Sequence, residues 1–322
     1  MSFNISLYLR TIEESMRVVI VGAGAMGCLF GFLLHKAGKE VCFLEKHPVL
    51  VKHIKENGIH VEGISGEHHI FPPITSEAKE ITRADLILIF VKAFDTYQAI
   101  LSAKPLVGQE SVVLTLQNGI GNVEEIVKVV DQKRTIAGTT AHGATVLGLG
   151  HIRHAGTGET VIGELDGNKT PRLEKVKTFL ESAGIKVQLT QDVIGLLWSK
   201  LLINVGINPL TGITGLRNGE LLDYEETRAI MHRAVNEAKV VADRKGICLI
   251  YPNHLQKVET VCQATAQNIS SMLQDIRNKK KTEIDFICGA ILREGKKFGL
   301  DLPINQALTH LIHLLENLGQ NI

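Results

Sequence analysis

The sequence contains few cysteines, and their spacing does not suit a structural role. They are odd in number, widely separated and without a CxxC pair: Cys28, Cys42, Cys248, Cys262 and Cys288. This arrangement argues against both a disulfide framework and a zinc site. We therefore assign no metal and expect a cytoplasmic location, where thiols stay reduced.

Long apolar runs and an excess of one charge are also lacking. The longest apolar runs, such as LILIFV at 86–91, are far shorter than a membrane span. Residues 1–15 lack the basic start and apolar core of a secretory signal, and we interpret them as an N-terminal extension or a mis-assigned start. The net charge is only +1, which disfavours nucleic acid and membrane surfaces as partners.

The composition that is present indicates a folded protein of two domains. Of the 322 residues, 44% are hydrophobic and 21% are charged, which is typical of a globular chain. The hydrophobic pattern changes near residue 190, from short strand-like runs to long helical segments. We therefore predict one domain over 16–190 and a second over 191–322.

The first domain begins with a strand, a glycine-rich turn and a helix, in RVVIVGAGAMG and the apolar residues after it. Gly22, Gly24 and Gly27 form the pattern GxGxxG. The first glycine allows a tight turn, the second lets a pyrophosphate approach the backbone, and the third lets the helix pack closely on the strand. Amides at the helix start, from Ala25 and Met26 to Gly27, would face the phosphates. The pattern predicts a dinucleotide site.

Further apolar runs complete the predicted fold. Those at 84–90, 111–117 and 135–141 are typical of strands in a parallel sheet covered on both faces. The glycine-dense stretch 138–165 predicts a meander at the sheet edge. The fold class is therefore α/β, with an N-terminal Rossmann-type dinucleotide-binding domain and an all-helical C-terminal domain. Helices of the second domain are predicted at 191–208, 220–246, 252–277, 282–299 and 303–318.

A second strand is predicted at 40–46, EVCFLEK, and the residues at its end leave the choice of dinucleotide open. Glu45 stands where an acid accepts a hydrogen bond from the ribose 2′-hydroxyl of NAD. Lys46 and His47 follow it, and both could pair with the 2′-phosphate of NADP. An inward Glu45 would repel that phosphate, whereas an outward Glu45 would leave Lys46 to dominate.

Polar groups also follow two later strands. Lys92 lies in VKAFDT at 91–96, and Asn118 lies in LQNGIGN at 116–122. Open α/β sheets bind ligands beyond the carboxyl ends of their strands. Although the glycines after Asn118 could be simple turn residues, this amide is well placed to meet a cofactor or a substrate.

One stripe of polar residues interrupts the apolar run WSKLLINVGINP at 198–209. Lys200, Asn204 and Asn208 recur every four positions, and on an α-helix each step of four turns the side chain by only about 40°. The other faces are apolar, and buried polar groups persist only when something satisfies them. A ligand could do so. The alternative is a core stripe satisfied by neighbouring helices, with Lys200 reaching water.

These pieces, with WSKLLINVGINPLTG, RNGEL and SSMLQDIRNKKKTEIDFICG, make the chain resemble the ketopantoate reductase (2-dehydropantoate 2-reductase) family from Arg17 onward. The resemblance implies NADPH-dependent reduction of ketopantoate to (R)-pantoate, in the vitamin B5 branch that leads to coenzyme A. It implies a small-molecule substrate held in a cleft between the two domains. The helical half could also supply a homodimer face.

The resemblance also implies roles for individual residues. Lys200 would be the catalytic general acid, Glu283 a second essential group, and Asn118 an aid at the reacting carbonyl or the nicotinamide. Lys46 would meet the 2′-phosphate, and Lys92 would lie near the cofactor. Glu45, directly before Lys46, departs from the family pattern. The residues implied to bind substrate are Asn204, Asn208 and Asn218 at its hydroxyl and carbonyl oxygens, and Ser271 at its carboxylate with Asp275 nearby.

The chemistry of ketone reduction is consistent with these roles. Negative charge grows on the carbonyl oxygen, so an ammonium aimed there stabilises the transition state and then delivers a proton. Burial should draw the pKa of Lys200 toward neutrality. Glu283 lies about 80° from Asp275 around a straight helix, so we expect a bend or break at 278–281.

Three alternatives stay open on the sequence alone. Glu283 could be a surface partner of the neighbouring lysines. The chain could be a reductase of another 2-keto or 3-hydroxy acid, because a fold and a proton donor can persist while pocket walls change. It could also be a non-catalytic dinucleotide sensor.

Overall fold

A computed structural model describes residues 16–320 of the chain. The predicted extension 1–15 lies outside the described residues. The chain divides into two compact units. Within the described residues, the first unit contains 16–117 together with Asn122–Val193, and the second contains Asn118–Gly121 together with 194–320.

The first unit contains two sheets. Their strands are β1 Val18–Val21, β2 Val41–Leu44, β3 Ile59–Gly63, β4 His68–Ile70, β5 Ile74–Thr75, β6 Ala84–Ile89, β7 Val107–Thr115, β8 Thr135–Thr140, β9 Gly143–Gly148, β10 His151–Gly156, β11 Thr160–Glu164 and β12 Val187–Leu189. The larger sheet has the order β12-β11-β8-β7-β6-β1-β2-β5, and its neighbours run parallel except β8 with β11. Strand order reverses beside β1, where open α/β sheets bind their ligands.

Helices cover both faces of this sheet. They are α1 Ala25–Lys36, α2 Pro48–Asn57, α3 Thr96–Ala103, α4 Asn122–Val127 and α5 Pro171–Glu181. Alternate residues of β1 enter different cores: Val18 and Ile20 join one apolar cluster, and Val19 and Val21 join another. This two-sided burial explains why the strand reads as a continuous apolar run. The predicted Rossmann-type α/β domain is confirmed.

The stretch 138–165 does form short strands joined by tight turns, as its glycines indicated, but the prediction of a meander at the edge of the main sheet was wrong. β11 does return antiparallel to β8, but β9 and β10 leave the main sheet and form a second sheet of order β4-β3-β10-β9. β10 pairs in parallel with β3, and Ile152 on β10 is buried in the main core. A local glycine pattern carries no information about a partner strand some 90 residues earlier in the chain.

The second unit is helical, as predicted. Its helices are α6 Val193–Thr214, α7 Glu225–Arg244, α8 His254–Ala264, α9 Ser271–Arg277, α10 Cys288–Lys296 and α11 Pro303–Gln320. Two predicted helices were too long. The stretch 252–277 holds two helices, with Ser270 capping the second by accepting from the amide of Leu273, and 282–299 begins with a short 3₁₀ turn before α10.

Helix α6 was predicted to end at Asn208, but it continues through Pro209 to Thr214. Proline lacks the N–H that would bond the carbonyl of Val205, so burial of the helix must outweigh that loss. By length and composition α6 is the one helix in the described chain that could cross a membrane. However, 78% of its most apolar window is buried inside the protein, as in a core helix.

Candidate active site

The glycine turn after β1 has the conformation that the GxGxxG pattern requires. Gly22 has φ +98°, in the left-handed region that favours glycine, and a Cβ there would lie 2.8 Å from Cγ1 of Val91. A Cβ on Gly27 would overlap the carbonyl oxygen of Gly22, so this glycine lets α1 approach the strand. These two glycines are needed by the fold itself.

Gly24 is different, because the fold does not need a glycine there. It is exposed, and a Cβ built on it meets no described atom within 4 Å. It caps α1, whose first amides, Ala25 to Gly27, have no acceptor within the helix. Open space in front of a helix N-terminus is what a pyrophosphate needs to reach these amides, so the turn fits a dinucleotide.

Glu45 points inward, beneath the glycine turn. Its side chain is buried, with one carboxylate oxygen 2.7 Å from the amide of Ala23 and the other 2.9 Å from the amide of His47. Both amides donate to the carboxylate, which ties the end of β2 to the turn after β1. Of the two orientations considered from the sequence, the structure adopts the one that places negative charge beside the turn.

Lys46 is exposed and paired with Asp95, with 2.6 Å between Nζ and Oδ1. Asp95 ends the 3₁₀ turn Ala93–Asp95, which follows β6 and begins directly after Lys92. A buried side chain supports this loop: Nε2 of Gln117 donates to the carbonyl of Val91 at 2.7 Å. Because β2 and β6 flank β1, Lys46 and Asp95 meet across the carboxyl end of β1.

The predicted polar stripe of the second unit lies on α6, which carries Lys200, Asn204 and Asn208. Burial lowers the pKa of Lys200 to about 8, and the negative charge of Glu283 opposes this by favouring the ammonium. The structure therefore brings Lys200 and Glu283 within electrostatic reach, although they are far apart in the sequence.

Two side-chain amides of the second unit have buried atoms without a hydrogen-bond partner among the described residues. They are Nδ2 of Asn204, a donor, and Oδ1 of Asn218, an acceptor. Asn218 uses its other amide atom to donate to Oγ1 of Thr265 at 2.9 Å. Buried polar atoms are nearly always paired, so this donor and this acceptor are available to a ligand with both kinds of polar group.

The segment around Asp275 and Glu283 changes direction, as expected from the sequence. Helix α9 ends at Arg277, and Lys279 has φ +53°, a left-handed conformation unusual for a residue other than glycine. Asp275 and Glu283 are both buried, whereas Ser271, at the start of α9, is exposed. The side chain of Glu283 therefore does not lie on the exposed surface.

The loop Asn118–Gly121 belongs to the second unit and contacts the segment after Glu283. The amide of Ile120 donates to the carbonyl of Phe286 at 2.9 Å. Gly119 has φ +83°, and a Cβ there would lie 2.5 Å from the same carbonyl oxygen. The glycine permits this close approach. The hydrogen bond fixes Ile120 against the segment that follows Glu283, and Asn118 lies two residues before Ile120 in the sequence.

Comparison with known proteins identifies the family. The sequence profile described as "Ketopantoate reductase PanE/ApbA" matches residues 18–167, and the one described as "Ketopantoate reductase PanE/ApbA C terminal" matches residues 192–316. The chain belongs to the ketopantoate reductase family. Members of this family are NAD(P)-dependent oxidoreductases.

Relatives within the ketopantoate reductase family match the chain over nearly its whole length. A 2-dehydropantoate 2-reductase of Archaeoglobus fulgidus is 34% identical, over 94% of this chain and 98% of the relative. Another, of Pyrococcus horikoshii, is 35% identical, over 94% of this chain and 99% of the relative.

Solved structures agree on the fold but carry two names. A PanE/ApbA family ketopantoate reductase of Ralstonia eutropha is 33% identical, with a TM-score of 0.86 over 95% of this chain and all of that chain. A D-mandelate dehydrogenase in ternary complex with NADH and anilino(oxo)acetate is 30% identical, with a TM-score of 0.90 over the same shares of the two chains. The fold and the oxidoreductase class therefore agree, while the substrates of these relatives differ.

Sequence reasoning missed two residues that shape the candidate site. Asp95 lies in the quoted motif VKAFDT, and its opposite charge to Lys46 was the one available signal. Gln117 precedes Asn118, but no local pattern shows that its side chain supports the loop after β6. In the described part of the chain, no group of three or more His, Cys, Asp or Glu side chains could hold a metal ion.

Proposed function

We propose that the chain is a 2-dehydropantoate 2-reductase that reduces ketopantoate to (R)-pantoate with NADPH. The observation that carries the proposal is Lys200, an amine whose pKa burial lowers to about 8 beside the charge of Glu283. At neutral pH this amine is still mostly protonated, yet it can release its proton readily. Both properties suit a general acid.

The proposal assigns the dinucleotide to the first unit. Gly22, Gly24 and Gly27 shape the turn, and the amides of Ala25 and Met26 meet the pyrophosphate. Lys46 binds the 2′-phosphate, and Lys92 lies near the cofactor. The open space at Gly24 supports this assignment, as do the first amides of α1, which have no acceptor within the helix. When bound, the reduced nicotinamide supplies the hydride that the ketone carbon accepts.

The proposal assigns the substrate to the second unit. Lys200 stabilises the developing charge on the carbonyl oxygen and donates a proton to it, and Asn118 assists at that oxygen or at the nicotinamide. Glu283 keeps Lys200 protonated, which the direction of its effect on the pKa supports. Asn204, Asn208 and Asn218 bind hydroxyl and carbonyl oxygens, and Ser271 binds the carboxylate with Asp275 nearby. The unpaired atoms of Asn204 and Asn218 support these roles.

The same proposal includes the organisation and location of the enzyme. Residues 16–190 form the dinucleotide-binding domain and 191–322 the substrate-binding and catalytic domain of a cytoplasmic protein without nucleic-acid or membrane partners. A homodimer is its proposed assembly. In support, Leu311, Leu314 and Leu318 are each about half exposed on one face of α11. Analytical ultracentrifugation tests the dimer.

A second candidate function is reduction of an aromatic 2-keto acid. It is favoured by the D-mandelate dehydrogenase whose structure matches this chain with a TM-score of 0.90. Both functions use the same proton donor and differ only in the groups that surround the substrate side chain.

A panel of keto acids separates these functions. The chain is assayed by nicotinamide absorbance with ketopantoate, trimethylpyruvate and phenylglyoxylate, using NADPH and NADH. Trimethylpyruvate is the matched control because it lacks only the hydroxyl of ketopantoate. A site built to bind that hydroxyl should prefer ketopantoate by a factor on the order of 100 or more in kcat/KM.

Other outcomes would contradict the proposal. A higher kcat/KM for phenylglyoxylate would favour the aromatic 2-keto acid. Equal turnover of ketopantoate and trimethylpyruvate would remove the role of the asparagines in substrate selection. Dinucleotide binding without oxidation by any of the acids would favour a sensor.

A further inference from the structure

Lys46, the residue proposed to meet the 2′-phosphate of NADPH, already has an anionic partner. Its Nζ lies 2.6 Å from Oδ1 of Asp95. The two side chains are 56% and 28% exposed, so solvent and a ligand can both reach the pair. The pair crosses the carboxyl end of β1, beside the glycine turn.

Glu45 adds a second negative charge to the same neighbourhood. Its carboxylate is buried and accepts from the amides of Ala23 and His47. One ammonium and two carboxylates, of Asp95 and of the sequence neighbour Glu45, therefore lie at the end of β2 and beside the glycine turn, where the ribose of a dinucleotide is expected. A 2′-phosphate brings nearly two further negative charges at neutral pH, whereas the 2′-hydroxyl of NADH brings none.

We propose that Asp95 is a specificity-determining residue that competes with the 2′-phosphate for Lys46 and thereby weakens the preference for NADPH over NADH. The inference rests on the proposed function, because it takes the glycine turn to be the dinucleotide site. To bind NADPH, Lys46 must leave Asp95, and the freed carboxylate then faces a dianion. Binding of NADH leaves the pair intact.

The ion pair of Lys46 with Asp95 should alter the preference between NADPH and NADH by a modest factor, and should not by itself determine that preference. Exposed ion pairs are weak because water screens both charges, so the expected effect is a change of several-fold in affinity. It should fall as the salt concentration rises, since solvent-exposed charges are screened by salt.

Calorimetric titration with NADPH and with NADH, without keto acid, tests the inference. We expect Asp95→Asn to lower the Kd for NADPH by about fivefold and to leave the Kd for NADH within about twofold of its original value. Lys46→Ala should weaken NADPH alone. In the double variant the benefit of Asp95→Asn should vanish, because no ammonium remains to be released. Asp95→Ala repeats the measurement without a side-chain amide.

The chain offers a closely matched control pair at the end of α4, with Glu125 in the helix and Lys128 directly after it. Lys128 and Glu125 are also 2.6 Å apart, with side chains 56% and 29% exposed. Glu125→Gln removes the same charge from a pair of the same geometry, and should leave the ratio of the two Kd values unchanged.

The other possible results would contradict either the inference about Asp95 or the proposed function. If both dinucleotides bind but Asp95→Asn and Asp95→Ala leave the NADPH to NADH ratio unchanged, the inference is wrong and the proposed function stands. The same holds if Glu125→Gln has an equal effect, or if the gain survives in the double variant. If the unmodified chain binds neither dinucleotide, the proposed function fails and the inference fails with it.

Discussion

The glycine turn of the first unit and the polar residues of the second unit differ in how their polar groups are paired. In the first unit the carboxylate of Glu45 accepts two backbone amides, and Lys46 is paired with Asp95. In the second unit, burial shifts the pKa of Lys200, while Asn204 and Asn218 each bury a polar atom without a partner among the described residues.

This difference predicts how each region responds to a ligand. Polar groups that are already paired destabilise the folded protein little. A ligand that binds them must replace an existing partner, so its binding free energy reflects only the difference between the old interaction and the new one. A buried polar atom without a partner destabilises the fold by about 1–3 kcal/mol, and a ligand that pairs with it recovers that energy. The first region should therefore tune affinity modestly, and the second should discriminate between substrates strongly.

The largest expected effect is at Lys200. Lys200→Ala should lower kcat by a factor on the order of 1,000, because both the proton donor and the charge that stabilises the transition state are lost. The Kd values for both dinucleotides should stay within about twofold of the original, since Lys200 belongs to the other unit. A kcat reduced less than about tenfold would contradict the proposed role.

The next largest effect distinguishes the roles of Gly24 and Gly27, two glycines of the same turn, in dinucleotide binding and in stability. Gly24→Ala should raise the Kd for NADH and for NADPH by about tenfold or more, because its Cβ would occupy the open space in front of α1. Its Tm should hardly change. Gly27→Ala, the matched variant, should lower the Tm or prevent folding, because its Cβ would overlap the carbonyl oxygen of Gly22. Equal losses of Tm in both variants would contradict this division.

Asn204 provides a test in which binding and stability change in opposite directions. Asn204→Leu should raise the KM for ketopantoate by about tenfold and raise the Tm by roughly 2 °C, because a buried unpaired donor is removed. Asn305→Leu is the control: Oδ1 of Asn305 is also buried without a partner among the described residues, but Nδ2 donates to the carbonyl of Ala234 and to Glu237, so loss of these two hydrogen bonds should lower the Tm. A lower Tm for Asn204→Leu would show that this amide is satisfied in the fold.

The smallest effect is a shift in pH dependence. The ammonium form of Lys200 is the proton donor, so kcat/KM should fall as the pH rises through about 8. The charge of Glu283 raises this pKa, so Glu283→Gln should move the falling limb to lower pH. Asp285→Asn is the control, because Asp285 lies partly exposed at the neighbouring turn and contacts His313 at 3.0 Å. A limb that Glu283→Gln leaves in place or moves upward would contradict the coupling.

The parts of the fold that were predictable from the sequence are those set by local patterns. The apolar run before Gly22 predicted a strand buried on both faces, and β1 has apolar clusters on each side. The spacing of Lys200, Asn204 and Asn208 predicted one helical stripe, and all three lie on α6. The second sheet was not predictable, because β3 and β10 pair across a long stretch of chain and neither strand contains a signal for the other.

The candidate site was predictable in its residue types but not in its pairings. The pKa of Lys200 was expected to fall, and burial does lower it. The direction of Glu45 was left open, because it depends on backbone amides that converge only in the folded turn. The ion pair of Lys46 with Asp95 joins the ends of two strands, and its existence depends on the strand order.

The hydrogen bond between Ile120 and Phe286 has a consequence for how the protein is made. During synthesis the segment Asn118–Gly121 leaves the ribosome with the sheet strands around it, long before Phe286 exists. The second unit therefore cannot form this hydrogen bond until Phe286 has been synthesised, and Asn118–Gly121 must stay accessible until then. A truncated polypeptide starting at 191 would lack the segment and its hydrogen bond to the Phe286 carbonyl, so the helical half should be less stable when expressed by itself.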